Sequence, residues 1–248
     1  MRSGNPTLNE NTFLDIGSGA VVARDGAMTV NGTVNRTAFL LIITLVAAMF
    51  TWSRFFASGD PASVMPFVWG GAIGGLVVAL VTVFKKTAAP FTGPLYAALE
   101  GLFIGGISAL FEARYPGLVI QAVGLTFGVL AAMLVAYRTG LIRATAKFRT
   151  GVIAATGGIF VLYLVNMVMH FFGIGIPFIH ESGTWGILFS LFVVTIAALN
   201  LVLDFDAIEG GVEAGAPKYM EWYAAFSLLV TLVWLYLEIL RLLAKTRD

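Results

Sequence analysis

The sequence predicts an all-α, polytopic membrane protein, a bundle of seven transmembrane helices. Three observations carry this. Of the 248 residues, 58% are hydrophobic and 12% charged, against roughly 45–50% and about 25% in a soluble domain. Seven apolar runs, at 37–56, 64–84, 93–111, 117–137, 151–173, 184–205 and 220–243, each have the length of a spanning helix. The runs are apolar all round and exceed the ~9–11 residues of a barrel strand, so a β-barrel is excluded.

The chain divides into a polar tail, 1–36, and a seven-helix membrane domain, 37–248. In the tail, Asn5, Asn9, Glu10, Asn11, Asp15 and Asp25 break every apolar stretch. No signal-peptide core follows, and the first run is expected to be retained as helix one. Ser58, Gly59, Asp60 and Pro61 end that run, and Lys85 and Lys86 through Pro90 end the second. Arg114, Tyr115 and Pro116 separate the third from the fourth. The remaining breaks fall at 138–149, 173–183 and 206–218. Small-residue pairs at four-residue spacing, Gly70/Gly74, Gly71/Gly75, Gly101/Gly105 and Gly124/Gly128, are candidates for close helix approach.

Fifteen Lys+Arg against 14 Asp+Glu give a net charge of +1 without a polybasic run, which excludes a nucleic-acid partner. The absence of cysteine excludes disulfide frameworks, thiolate metal sites and cysteine nucleophiles. With the amino terminus inside, the inner side holds Arg2, Arg24, Arg36, Lys85, Lys86, Arg138, Arg143, Lys147, Arg149 and Lys218; the outer loops hold only Arg54 and Arg114. The amino terminus is therefore expected to be cytoplasmic. Seven spans then leave Arg241, Lys245 and Arg247 outside, a tension that six spans and a re-entrant segment would remove.

Ionisable groups inside the hydrocarbon cost at least ~2.5–3.5 kcal/mol on insertion scales. Glu100, about seven residues into the third run, cannot snorkel; it is either a pathway acid or a protonated carboxyl bonded to a neighbouring helix. Asn166 and His170 lie one turn apart in the fifth run, as do Asn200 and Asp204 in the sixth. For the first pair interhelical hydrogen bonding is the simpler reading. Thr231 and Glu238 share a face of the last run, and an interfacial pair with Arg241 explains Glu238 as well as a site does. Asp204, Asp206 and Glu209 cluster where the sixth run meets water. A helix C-terminus repels carboxylates, so a shared proton, a bound cation such as calcium or magnesium, or a basic partner is expected to compensate. Asp204 and Asp206 are about 200° apart on a helix and share a ligand only if the helix unwinds near Gly210. For Asp206 and Glu209 simple solvation is the alternative.

Signals for an enzyme are weak. Ser108 in Gly106-Ile107-Ser108-Ala109, with His170 on another helix, carries little information, and His180-Glu181 lacks a second histidine at metalloprotease spacing. No enzyme activity and no resident cofactor are expected.

Four segments resemble one family. They are Met28-Thr29-Val30-Asn31-Gly32-Thr33-Val34-Asn35-Arg36-Thr37, Ala98-Leu99-Glu100-Gly101-Leu102-Phe103-Ile104-Gly105-Gly106-Ile107-Ser108, Tyr137-Arg138-Thr139-Gly140, and Leu203-Asp204-Phe205-Asp206-Ala207-Ile208-Glu209-Gly210-Gly211. Together they resemble the transmembrane Bax inhibitor motif proteins, specifically the bacterial branch with an extended polar amino terminus. The resemblance implies a central last helix wrapped by the other six and a pH-controlled calcium leak in the bacterial inner membrane. It further implies a gate built from two aspartates, one late in helix six and one in the last helix. Asp204 matches the first, and sliding the motif by two would give that role to Asp206. Thr231, which cannot titrate, stands where the second would be; Glu238, Glu100 or Asp206 are the available substitutes.

The expected function is a cation leak gated by protonation of Asp204 at the cytoplasmic end of helix six, with Glu100 as a pathway acid and Asp204 and Asp206 as candidate cation ligands. The alternatives are a proton-coupled transporter and a non-transporting regulator. The regulator would bind other membrane proteins, such as a membrane protease, through its polar tail.

Overall fold

A computed structural model describes residues 26–172 and 183–247. Within them are seven helices long and apolar enough to cross a membrane. We number these α1 Val30–Ser58, α2 Met65–Phe84, α3 Ala89–Arg114, α4 Leu118–Arg138, α5 Ala146–Phe171, α6 Thr184–Glu213 and α7 Met220–Lys245. The structural expectation for the 1–25 part of the tail, and for His180-Glu181, falls outside the described residues.

The helices overrun the apolar stretches at their ends. α1 starts at Val30, inside the expected tail, because the Thr29 hydroxyl accepts from the Gly32 N–H and caps the first turn. It stops at Gly59, whose φ of 67° is left-handed. Asp60 then caps a short 3-10 turn, Pro61–Ser63, that leads into α2. α6 continues through the acids to Glu213, with Gly210 and Gly211 buried inside it. It does not unwind at Gly210. Asp204 is therefore more than two turns from the helix end, and the expected clash with the terminal dipole does not arise there.

α7 lies at the centre. Tyr223, Ala224, Phe226, Leu229, Leu235 and Leu240 are all at most 1% exposed. Its packing neighbours are α1, α3, α4 and α6, while α2 packs chiefly on α3 and α5 on α6. The last helix is thus central, as the resemblance implied, with α2 and α5 set further from it than the other four. Outward-facing Ile42, Leu45, Trp69, Ile73, Ile120 and Phe160 are more than half exposed, as a lipid-facing surface requires.

The starts of α1 and α7 share a face. Met28 N–H donates to the Ala216 carbonyl at 2.6 Å and Lys218 N–H to that of Gly26 at 2.9 Å, an antiparallel bridge beneath α7. Glu221, 1% exposed, accepts from Thr29 N–H at 3.1 Å and from the Thr29 hydroxyl at 2.9 Å. Its carboxylate occupies the space a β-carbon on Gly32 would need, so the glycine at that position is required by contact. An odd number of spans puts the start of α1 and the end of α7 on opposite faces. The basic residues at that far end are bound within the protein: Arg241 to Glu238, Lys245 to Gly186 and Ser190, and Arg247 to Pro116 and Gln121.

Of the glycine pairs, two are true contacts. A β-carbon on Gly105 would lie 2.3 Å from the Ala48 carbonyl of α1, and one on Gly101 2.4 Å from that of Thr44. Gly71 is held as closely against Leu99 of α3, and Gly75 lies beside Glu100. Gly124 and Gly128 have nothing within 4 Å and face outward, so the packing role expected of them is absent. Gly105→Val is expected to cost about 1–3 kcal/mol or more. Gly124→Ala should change stability by less than about 0.5 kcal/mol. Thermal denaturation of the two variants in one detergent compares them directly.

Candidate functional site: a polar seam between three helices

The sixth helix presents its polar groups to two different neighbours because they lie at different angles around it. Asp204 points at α7 and is 0% exposed; the Thr231 hydroxyl donates to its Oδ2 at 2.6 Å. Asp206, two residues on, points at α5, where Arg149 Nη2 donates to Oδ2 at 2.6 Å. Glu209 is exposed and accepts from the Tyr137 hydroxyl of α4. A basic partner thus compensates Asp206, while Glu209 stays exposed to the solvation weighed for it, beside its bond from Tyr137. Asp204 and Asp206 do not converge on one ligand.

One turn before Asp204, Asn200 is 1% exposed. Its Nδ2 donates to Thr156 Oγ1 of α5 and to the Ile196 carbonyl, both at 2.8 Å. Toward the far face, Glu238 is 2% exposed and accepts from the Tyr163 hydroxyl at 3.0 Å and from Arg241 Nη1 at 2.9 and 3.0 Å. Arg241 Nη1 also donates to the Tyr163 hydroxyl at 2.9 Å. Further still, Lys245 Nζ donates to the Gly186 carbonyl at 3.1 Å and Ser190 Oγ at 2.9 Å. Glu238 therefore serves the far end of the seam, and it is Thr231 that meets Asp204.

Glu100 lies elsewhere. It is hydrogen-bonded to Tyr96 of its own helix and faces Gly75 in the α2–α3 seam. Tyr96 in turn packs edge-on against Phe226 of α7 at 4.9 Å. Ser108 Oγ is 2.6 Å from the Tyr236 hydroxyl. Asn166 is partly buried and partnered, while the His170 side chain lies outside the described residues.

Sequence reasoning missed Glu221, Tyr163, Thr156, the Arg149 partner of Asp206 and the burial of Lys245. The one legible signal was an acid, Glu221, at the first turn of an apolar run. The others depend on helix rotation. Among the described residues, no group of three or more His, Cys, Asp or Glu could hold a metal ion. The chemistry open to the seam is proton exchange at buried carboxyls and weak coordination by single oxygens.

The Asp204–Thr231 contact differs in kind from a carboxyl pair. A hydroxyl donates to a carboxylate oxygen and, more weakly, to the carbonyl oxygen of a neutral acid, so this bond survives either protonation state. No like charge opposes ionisation across it.

Seven apolar spans around a buried helix, with a buried carboxyl where the sixth and seventh meet, define the class: a multi-pass integral membrane protein in contact with the lipid bilayer. The family model described as Bax inhibitor 1 like matches residues 5–248, and the chain belongs to that family. No curated protein and no solved structure matches it.

Thr231→Val removes one hydrogen bond to the buried Asp204 and should lower stability by about 1–2 kcal/mol. Thr231→Ser should restore most of that loss, as read from thermal unfolding in detergent.

Proposed function

We propose that the protein is a cation leak channel, passing calcium, in the bacterial cytoplasmic membrane, with its amino terminus in the cytoplasm and with protonation of Asp204 controlling opening. The observation that carries this is the complete burial of Asp204 at the contact between α6 and the central α7. A neutral carboxyl is tolerated there; an ionised one demands water or a counter-ion. Loss of the proton draws water and a cation to the free carboxylate oxygen while the Thr231 bond persists, and that hydration opens the seam. The charged and titratable groups around this contact are Arg149 on α5, Asp206 and Glu209 on α6, Tyr137 on α4, and Glu221, Glu238 and Arg241 on α7. Asp206 and Glu238 are each neutralised by an arginine, and Glu221 is held at the start of α1. The reading is of a conduit, with no chemical step and no resident cofactor.

A proton-coupled transporter is the second reading. The observation favouring it is that ion pairs stand toward both ends of the seam, Arg149–Asp206 and Arg241–Glu238, as in a path closed alternately from each side.

The test is calcium flux into proteoliposomes across a pH series. On the leak reading, flux rises with pH in the wild type and loses its pH response in Asp204→Asn, whereas Glu100→Gln, altered in the α2–α3 seam, keeps it. Flux that saturates with calcium and drives proton counter-movement moves the assignment to the transporter.

A further inference from the structure

On the side of the bundle away from α5, the surface between α1 and α4 is interrupted by a groove. α1 packs chiefly on α3 and α7, and α4 chiefly on α7 and α6. The space between them is a cavity of about 570 Å³, the size of a small-molecule pocket. α1 lines it over 41–53 and α4 over 119–127, with α3 and α7 beneath. Ile42, Leu45 and Phe127 stand exposed at its rim, so it opens sideways into lipid. Its span along α1 is roughly 18 Å at 1.5 Å per residue, a little over half of the ~30 Å hydrocarbon core. That is the depth of one leaflet.

The interior of the groove suits a hydrocarbon chain. No charged residue lines it. Its deep hydroxyls are already satisfied: Ser108 and Tyr236 bond each other at 2.6 Å, and Thr126 donates to the Ala122 carbonyl at 2.8 Å. The Thr44 hydroxyl is shared between the Leu40 and Ala97 carbonyls, at 3.0 and 3.1 Å. A cation or polar solute would shed its water there without recompense, whereas an acyl chain gives up nothing.

The mouth is different. At the end of α1 the groove runs into a second cavity, which shares Met49 and Ser53 with it and surrounds Arg54, Ser58 and Ser63. Arg54 Nε donates to the Ser63 carbonyl at 3.3 Å, and the guanidinium lies 5.4 Å from the centre of the Phe67 ring. These contacts fix the head and leave its two terminal nitrogens without an acceptor among the described residues. The acid of this loop, Asp60, is turned to the Ala62 N–H at 2.8 Å. A held cation with free donors thus stands over the open end of an apolar slot one leaflet deep. An arginine fork of this kind matches a phosphate.

We infer that the groove between α1 and α4 binds one acyl chain of an anionic phospholipid, drawn from the leaflet at the far end of α1, with Arg54 on the headgroup phosphate. The occupant bears directly on the central helix. Leu229, Leu232, Val233 and Tyr236 of α7 recur at helical spacing and so form one face, the floor of the groove. Thr231 and Glu238 lie on the opposite side of that helix, against α6 and α5. The lipid therefore supports α7 from behind the polar seam, and its site does not depend on whether that seam conducts.

The experiment uses the purified full chain as wild type, Arg54→Gln, Arg54→Lys and Val123→Trp. Native mass spectrometry compares dioleoylphosphatidylglycerol with dioleoylphosphatidylcholine retained from mixed micelles. In proteoliposomes, a phosphatidylglycerol with a diazirine at the end of one acyl chain is photo-crosslinked and the adducts are mapped. Wild type is expected to retain phosphatidylglycerol about fivefold or more over phosphatidylcholine. Its crosslinks should fall at the deep end of the groove, around Leu41 and Leu229. Arg54→Gln should bring the preference to within about twofold of equality, and Arg54→Lys should keep most of it, since the charge remains. Val123→Trp fills the groove from α4 and should remove the crosslinks to α7. Should that variant fail to stay monodisperse, the exposed Arg54 decides: a preference undiminished in Arg54→Gln overturns the inference. So does equal retention of the two lipids by wild type, or crosslinks confined to the rim residues. Crosslinking of α1 to α4 of another copy, with no lipid adduct in the groove, gives the groove to a second chain and likewise overturns it.

Discussion

The contact of Asp204 with Thr231 sets how α6 lies on α7, and the arrangement of the third helix, α5, follows from it. Once that rung is in place, antiparallel geometry brings Ser190 to Lys245 fourteen residues away and turns Asn200 and Asp206 toward α5. In lipid there is no aqueous alternative for these groups, so each must find its partner within the bundle. A one-residue slip would rotate Asp204 by about 100° away from Thr231 and unpair the whole series. The buried polar rungs thus act as a register device between helices whose apolar surfaces would otherwise slide.

The two halves of the bundle adhere by different physics. α1, α2 and α3 meet through Gly71, Gly101 and Gly105, where backbones approach so closely that a β-carbon would collide with a carbonyl oxygen. That half is held chiefly by close packing, with the Thr44 hydroxyl of α1 donating to the Ala97 carbonyl of α3 at 3.1 Å. α5, α6 and α7 meet through hydroxyls, amides and ion pairs, each of which can be broken and remade by a proton, water or an ion. The half that is tightly packed suits a scaffold, and the half joined by exchangeable bonds suits movement. α7 belongs to both, which is why its Tyr223, Phe226, Leu229 and Leu235 are sealed while its Thr231 and Glu238 carry partners.

The number and type of helices were legible because a spanning helix announces itself as a run of about twenty apolar residues. Their ends were displaced by up to eight residues, since polar turns such as Asn31 to Arg36 and Asp206 to Glu213 continue a helix that capping, not hydropathy, terminates. Asp204 was legible for the opposite reason: a carboxyl among Leu201, Val202 and Leu203 is costly wherever it points. Its neighbour was not free to be guessed from chemistry, and Thr231 emerged only through resemblance of the last helix to a motif. Glu238, on the same face as Thr231, proved to serve a different rung because seven residues carry it about 10 Å along the axis. The glycine pairs show the same boundary, for Gly101 and Gly124 are alike in spacing and unlike in what they face.

The sequence by itself determined that the chain spans a membrane seven times, that it carries no thiol chemistry, and that few ionisable groups pay the cost of burial, Asp204 foremost. Those properties are sums over local composition, and no neighbour can change them. The tertiary structure decided which side chain each buried group meets: Asp204 with Thr231, Asp206 with Arg149, Glu238 with Tyr163 and Arg241, Glu221 with Thr29, and Asn200 with Thr156 on its nitrogen only. Such pairings depend on the rotation and axial offset of one helix against another. Lipid solvates every apolar face almost equally, so these angles are set by the fit of all the helices at once.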